Sequence, residues 1–237
     1  MTQKDILNQI QWYQSTEHCC PYFSDKNAID VFCKEPTLTS ETYDVLQLYG
    51  FRRSGSLFYR PECQNCRECI SIRINPSQFK MSKSQRKIST KNKDLVMTLT
   101  TLKHDSEHLN LYNKYQNSIH QGKMAGEEKE FLEMFQHKGF LISEIQYRLN
   151  QKLIGVSIID MTHAGISSVY FYYDPDYASR SLGTYSILHE IKTCLHKNIP
   201  YWYGGYYIKD HPKMDYKKKF KPAEYLINGI WEQITQT

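Results

Sequence analysis

Ile70, Ile72 and Ile74 alternate with Ser71, Arg73 and Asn75, a period of two that predicts a strand buried on one face with Arg73 on the exposed one. Residues 95–102 repeat the pattern. Denser apolar runs at 140–149, 152–161, 168–174, 201–208 and 225–234 predict further strands, the first two joined at Asn150-Gln151 as a hairpin. Residues 28–32 read as a strand, and residues 51–60 as two short strands around a Ser-Gly turn. Helical spacing appears instead at Tyr43, Leu46, Leu48 and Tyr49, behind Thr39-Ser40 and ahead of Gly50, the expected punctuation of a helix. Residues 108–118, 127–136 and 182–197 predict three more helices, and residues 5–13 a short helix or an extended arm. The order is that of an α+β protein rich in antiparallel strands.

Charge divides this chain. Lys plus Arg exceed Asp plus Glu by 30 − 25 = 5, a small excess, but it is concentrated. Residues 80–93 hold six basic side chains and no acidic one, and residues 213–221 hold five Lys against one Asp. Such runs are a solvated face or a linker, or else a nucleic-acid footprint, and two runs far apart in sequence can form one face. The first also marks the expected boundary between a unit over residues 1–90 and a second over 91–237. No apolar run approaches the ~18 residues needed to span a bilayer, and residues 1–15 lack the apolar stretch of a secretory signal. A cytoplasmic protein without membrane contact is expected. Six of its seven Cys lie between Cys19 and Cys69, and clustered thiols in a reducing compartment point to metal or redox chemistry more than to disulfides.

Four stretches carry candidate chemistry. Cys63-x-x-Cys66-x-x-Cys69 brings three thiolates to one turn, and a tetrahedral site needs a fourth from Cys19, Cys20 or Cys33; the alternative is that these are small buried apolar residues. Arg180-Ser181-Leu182-Gly183-Thr184-Tyr185 opens a helix after a strand. It partly matches the Arg-x-x-Gly-x-Gly/Ala loop with which acetyltransferase-like folds cradle a pyrophosphate, and departs from it at Tyr185, which would crowd a phosphate. The aromatic strands around Tyr170–Tyr173 and Tyr201–Tyr207 each send half their rings to one face, and Gly204-Gly205 marks a bulge or a close approach by a ligand. Asp174-Pro175-Asp176 ends the first of them, where a carboxylate can orient an amine or simply form a turn.

Taken together, VYFYYDPD, SLGTYSILHEI and GGYYIKDHPKMDYKKKFKP, with CPY, LYGFRRSGSLFYRP, CxxCxxC, SIRI and SKSQRK upstream, resemble the arginyl-tRNA–protein transferase family, most closely its bacterial leucyl-transferring branch. The resemblance runs from about His18 to Leu226. It implies an acetyltransferase-like (GNAT-like) mixed sheet with flanking helices, preceded by a smaller Cys-bearing unit. It implies transfer of an aminoacyl group, leucine from Leu-tRNA, to the α-amine of proteins beginning with Asp or Glu, which become degradation substrates. Carried over, it points to zinc or an iron–sulfur cluster at Cys20, Cys63, Cys66 and Cys69, with no cofactor required for transfer.

An α-amine with a pKa near ~8 is partly unprotonated at neutral pH, so positioning and oxyanion stabilisation go far without a strong base. Asp174 and Tyr206 are the candidates to orient it. Arg180, Gly183 and Thr184 are expected at the aminoacyl-tRNA 3′ end. Lys83, Arg86, Lys87, Lys217 and Lys218 are expected on the tRNA backbone. Arg52, Arg53, Arg60 and Arg73 are the candidates for reading the acidic acceptor. The rival readings are an arginyl donor, a small-molecule N-acetyltransferase, and an RNA-binding metal-site protein without transfer activity.

Overall fold

Ile70–Ile74 lies in the interior of the largest sheet, with a neighbour on each side. The structure, a computed structural model, describes residues 2–122 and 124–234. Its eight-stranded sheet runs in the order Ile230–Gln233, Glu224–Ile227, Ile70–Ile74, Tyr201–Tyr207, Gly165–Tyr173, Lys152–Met161, Ile142–Leu149, Val96–Thr101. Every neighbouring pair is antiparallel except Tyr201–Tyr207 with Gly165–Tyr173, which is parallel. The chain passes between those two strands through the helix Leu182–His196, the crossover that a parallel pair requires.

Helices cover both faces of this sheet. Leu182, Leu188 and Ile191 pack with Ile72, Ile145, Ile166 and Trp202 on one side. On the other, Leu111 and Tyr112 from Ser106–His120 and Phe131 and Phe135 from Glu128–Phe135 meet Leu153, Val156, Ile158 and Tyr172. Each fully buried large apolar side chain contributes roughly 1.5–3 kcal/mol, so these two layers hold the sheet in place. A second sheet, ordered Tyr13–Gln14, Asp30–Lys34, Leu57–Pro61, Arg52–Ser54, is backed by the helix Ser40–Leu48 around Tyr43, Leu46 and Phe58. His18–Cys19 pairs with Asn27–Ala28 in a third, two-stranded sheet.

Most expected elements occur where the pattern places them, but residues 225–234 form a hairpin of Glu224–Ile227 and Ile230–Gln233, turned at Asn228-Gly229 with φ of 49° and 80°. Thr39 caps Ser40–Leu48 by accepting from Thr42 N–H, and Gly50 follows at φ +80°. Asn150 and Gln151 turn the hairpin with φ of 47° and 69°. The weak N-terminal pattern resolves into Gln3–Asn8, a helix closed by a capping box, and then the edge strand Tyr13–Gln14.

Arg73 departs from the expected exposure. It is buried, paired with Glu224 at 2.7 Å, and its guanidinium lies 3.9 Å from the Tyr201 ring centroid and 4.4 Å from that of Trp231. Aromatic faces on either side replace the water that the strand pattern assumed. The strand Ile70–Ile74 comes from ahead of residue 90 and sits among strands from beyond it, so the large sheet spans that boundary. Among the described residues no helix is long and apolar enough to cross a membrane.

Candidate aminoacyl-transfer site

The parallel strands pair only over Gly165–Ser167 and Tyr201–Tyr203, after which they part. Gly204-Gly205 lies where they part. The register between Tyr201–Tyr207 and Ile70–Ile74 slips between Tyr203 and Tyr206, and Gly205 has φ +73°, a conformation that disfavours a Cβ. The glycines also make room. A Cβ on Gly205 would run into the Arg52 guanidinium, and one on Gly204 would meet the Trp202 ring at 2.6 Å.

Arg52 therefore stands at the opening. Its Nη2 donates to Ser168 O at 2.7 Å, which ties the second sheet to the first strand of the splayed pair. Further ties surround it: Tyr43 Oη donates to Ser167 Oγ at 3.3 Å, and Tyr206 Oη lies 3.3 Å from the carbonyls of Gly50 and Tyr59. Glu190, fully buried on the crossover helix, accepts from Trp202 Nε1 at 2.7 Å. Its burial raises its carboxyl pKa above the usual range.

The crossover helix begins next to the opening. Ser181 adopts φ +55° and supplies no side-chain cap, leaving the first-turn N–H groups of Leu182 and Gly183 for an incoming oxygen. At Gly183 a Cβ would find only Phe171, at 4.0 Å. Its backbone does not demand glycine, and neither does its packing. Tyr185 does not crowd this place as the sequence suggested: its side chain is buried in the core with its hydroxyl 3.5 Å from Met97 Sδ, because one helical turn carries it to the sheet-facing side.

Several expected roles change with the geometry. Asp174 is buried; it caps the following turn by accepting from Asp176 N–H and binds Lys114 at 2.5 Å and Lys152 at 2.9 Å. Burial pushes its pKa up, but the two ammoniums and the N–H outweigh that and hold it below the usual carboxylate value, which suits an ion-paired cap and not a proton acceptor. The hydroxyl of Tyr206 is spent on backbone carbonyls, and burial raises its pKa well above that of a free phenol. Arg180 pairs with Asp94 at 2.8 and 2.9 Å.

Of the four candidate acceptor readers, Arg53 is fully buried on Asp160, Arg60 pairs with Glu62 and donates to Tyr49 O at 2.7 Å, and Arg73 is held by Glu224. Arg52 Nη1 and Arg60 Nε are buried without partners, and of the four only Arg52 forms no ion pair among the described residues. Lys217, expected on the tRNA backbone, is instead buried and donates to Tyr206 O at 2.5 Å.

The two basic runs do come together. Lys83–Lys91 is a helix started by the Ser82/Gln85 capping box, and the Gln85 amide donates to Lys219 O at 3.0 Å while Phe79 stacks on Phe220. Lys83, Arg86 and Lys87 are exposed on it, and Lys218, in the second run, is half-buried and paired with Asp215 at 2.7 Å. The far end of the helix reaches the turn before Gly183: Lys91 Nζ donates to Ser179 O at 2.6 Å and Asn92 to Arg180 O at 2.9 Å.

The thiols of Cys63, Cys66 and Cys69 line a pocket of about 370 Å³ with Arg60 and Arg67. Burial, then the neighbouring Cys20, Cys63 and Cys66, push the Cys69 thiol up to about 12. All seven Cys are free, and among the described residues no group of three or more His, Cys, Asp or Glu is arranged to hold an ion. The donor chemistry suits a thiophilic metal, while the arrangement does not close around one. Gln47 stands outside every stretch that the sequence singles out, whereas Tyr203 and Glu190 lie within such stretches without an assigned role and Lys217 was expected on the tRNA backbone. The double glycine beside them was the available signal.

Comparison with known proteins agrees with this layout. The fold is similar to the C-terminal DUF2156 domain, from Agrobacterium fabrum, of a protein assigned as a lysylphosphatidylglycerol synthetase (TM-score 0.50, 9% identity, 83% of this chain and 64% of that one). A protein from Methylobacillus flagellatus named aspartate/glutamate leucyltransferase is 38% identical over 96% of this chain and 93% of its own. A protein of the same name from Saccharophagus degradans is 37% identical over 95% and 97%. The family profiles for the N terminus and the C terminus of arginine-tRNA-protein transferase match residues 18–87 and 107–227, and the chain belongs to the arginine-tRNA-protein transferase family.

Proposed function

We propose that this enzyme carries leucine from Leu-tRNA to the α-amine of cytoplasmic proteins that begin with Asp or Glu, marking them for degradation. The nearly full-length likeness to proteins named aspartate/glutamate leucyltransferase carries the reading. The parting of two strands beside the start of the crossover helix supports an acetyltransferase-like core; the first ninety residues supply the Cys-bearing segment beside it and, in Ile70–Ile74, one of its interior strands.

In this reading the exposed Lys83, Arg86 and Lys87 take tRNA phosphates. The helix that bears them leads to Arg180 and Gly183, where the first-turn N–H groups meet the aminoacyl end. The acceptor amine attacks the ester carbonyl, the carbonyl's bond to the ribose oxygen breaks, and the proton the amine loses is balanced by the one the ribose oxygen gains, through solvent, as it leaves as a hydroxyl. Transfer needs no cofactor. Zinc or an iron–sulfur cluster at Cys20, Cys63, Cys66 and Cys69 would require these thiols to draw together, and elemental analysis of anaerobically purified protein tests for it.

Purified protein is offered Leu-tRNA or Arg-tRNA with peptides starting Asp, Glu, Lys or Ala. Leucine transfer to the first two peptides is expected. Transfer of arginine alone, or to Lys-starting peptides, refutes the assignment, and acetyl-coenzyme A turnover replaces it with a small-molecule activity.

A further inference from the structure

Two basic side chains, Arg52 half-buried and Lys217 buried, flank the bulged segment without a carboxylate of their own. Arg52 packs against Gly205, its Nη2 fixed by Ser168 O and its Nη1 buried with no hydrogen-bond partner. Lys217 holds the carbonyl of the next residue, Tyr206. Neither forms an ion pair among the described residues, although Arg53, Arg60, Arg73 and Arg180 all do. Glu190 feels the field of Arg52 but is engaged by Trp202 and bridges to neither.

Buried basic groups without a counter-ion are costly, and an arriving anion removes the cost. Beside Arg52, both amide atoms of Gln47 and the hydroxyl of Tyr203 are buried without hydrogen-bond partners, while Lys217 lies in the field of Arg52 on the Tyr206 side. Gln47, Gly50, Arg52, Ser71, Tyr203 and Gly205 line a cavity of about 10 Å³. That is about the space of one water, which suits one carboxylate oxygen and excludes bulk.

We propose that Arg52 and Lys217 form the subsite for the side-chain carboxylate of the acceptor's first residue, with the Gln47 amide and the Tyr203 hydroxyl completing its hydrogen bonds. The assignment rests on the transferase reading and supplies its specificity. A neutral Asn or Gln side chain brings no charge to the two basic groups and turns N–H donors toward donors. Consistent with an anion-seeking pair, burial and the Arg52 charge lower the Lys217 pKa to about 7, against a smaller opposite pull from Cys69.

Equilibrium binding of peptides starting Asp, Asn, Glu and Gln, without tRNA, and kcat/KM for leucine transfer to them are measured for the wild type, Arg52→Lys, Arg52→Gln and Lys217→Met. The wild type is expected to favour Asp over Asn by roughly 30-fold or more. Arg52→Gln and Lys217→Met shrink that ratio to within about threefold in both readouts, with Leu-tRNA affinity unchanged, whereas Arg52→Lys keeps about tenfold. An Asp-to-Asn ratio that stays at the wild-type value in both charge-removing variants overturns the subsite, whatever happens to the absolute rate. Should Arg52→Gln unfold, the ratio in Lys217→Met decides. Selective binding of Asp peptides, lost in the variants, without any transfer supports the subsite and refutes the transferase reading; transfer with an unchanged ratio does the reverse.

Discussion

Arg53 and Arg52 are adjacent in sequence, yet their replacement should have opposite consequences. Arg53 and Asp160 are fully buried side chains joined by two hydrogen bonds, Nε to Oδ2 at 2.8 Å and Nη2 to Oδ1 at 2.6 Å, and Arg53 Nη1 also donates to Gly55 O at 2.9 Å. Arg53→Met keeps the apolar stem and removes all three bonds, stranding the Asp160 carboxylate in the interior. Breaking one side of such a pair costs about 3–5 kcal/mol, out of a total stability on the order of 5–15 kcal/mol. With a urea slope of about 3 kcal/mol/M, the midpoint of unfolding falls by roughly 1–1.7 M. Arg53→Met/Asp160→Leu, which removes both charges, is expected to regain most of that loss. Urea titrations followed by circular dichroism measure each term. A single variant that loses less than about 1 kcal/mol refutes the reasoning, because the pair would then be hydrated or replaceable. The folded fraction of Arg53→Met should keep the wild-type preference for Asp over Asn peptides, since Arg53 does not face the acceptor.

Changing Lys83, Arg86 and Lys87 together to Ala should reduce the slope of log K against log salt for tRNA binding by about 2–3; an unchanged slope in filter-binding titrations removes the helix from the interface. Gly183→Ala should leave thermal stability equal to or up to ~1 kcal/mol above wild type, since helix propensity favours Ala and nothing crowds its Cβ, while leucine transfer falls; full activity would show that no ligand approaches that backbone. Asp174→Ala should cost about 1–2 kcal/mol as a lost cap and ion pair, discounted because Lys114 and Lys152 are 42% and 54% exposed; transfer that collapses while thermal unfolding hardly moves would make Asp174 catalytic. His108 is buried between Asp105 and Glu144, and although burial lowers its pKa, the two carboxylates outweigh that and raise it. Its stabilisation is complete below about pH 6.5 and is lost as pH rises through the higher folded value, so melting temperature should decline above about pH 6.5 and His108→Gln should remove that part of the decline.

Local chemistry made the elements legible. The cap at Thr39, the stop at Gly50 and the turn at Asn150-Gln151 satisfy backbone groups within a few residues, so sequence alone locates them. Gly204-Gly205 likewise announced the bulge. What the pattern could not supply was the partner across the fold. Lys217 and Lys219 stand two apart in one basic run, one buried and the other exposed, and only the Tyr206 carbonyl, brought there by tertiary packing, separates them. Arg73 reads as an outward strand residue until Tyr201 and Trp231 close over it. A period of two sends Arg52 and Arg53 to opposite faces of their strand but does not say that one face meets Asp160 and the other Gly205. Gln47 belongs to no motif and Tyr203 is one ring among several in an aromatic strand, and their unsatisfied atoms emerge only once the second sheet is docked.

The position of Ile70–Ile74 bears on how the molecule is made. Ile72 pairs with Tyr225 on one side, and Ile74 with Trp202 on the other, so the middle of the large sheet waits on residues more than a hundred positions further along. During synthesis this segment leaves the ribosome long before either partner, as a strand with two raw edges that a chaperone or another chain can capture. Cutting the gene between the two family halves would therefore yield no independent pieces. The C-terminal fragment alone would leave the facing edges of Tyr201–Tyr207 and Glu224–Ile227 bare, and it should aggregate unless the missing strand is added back in trans.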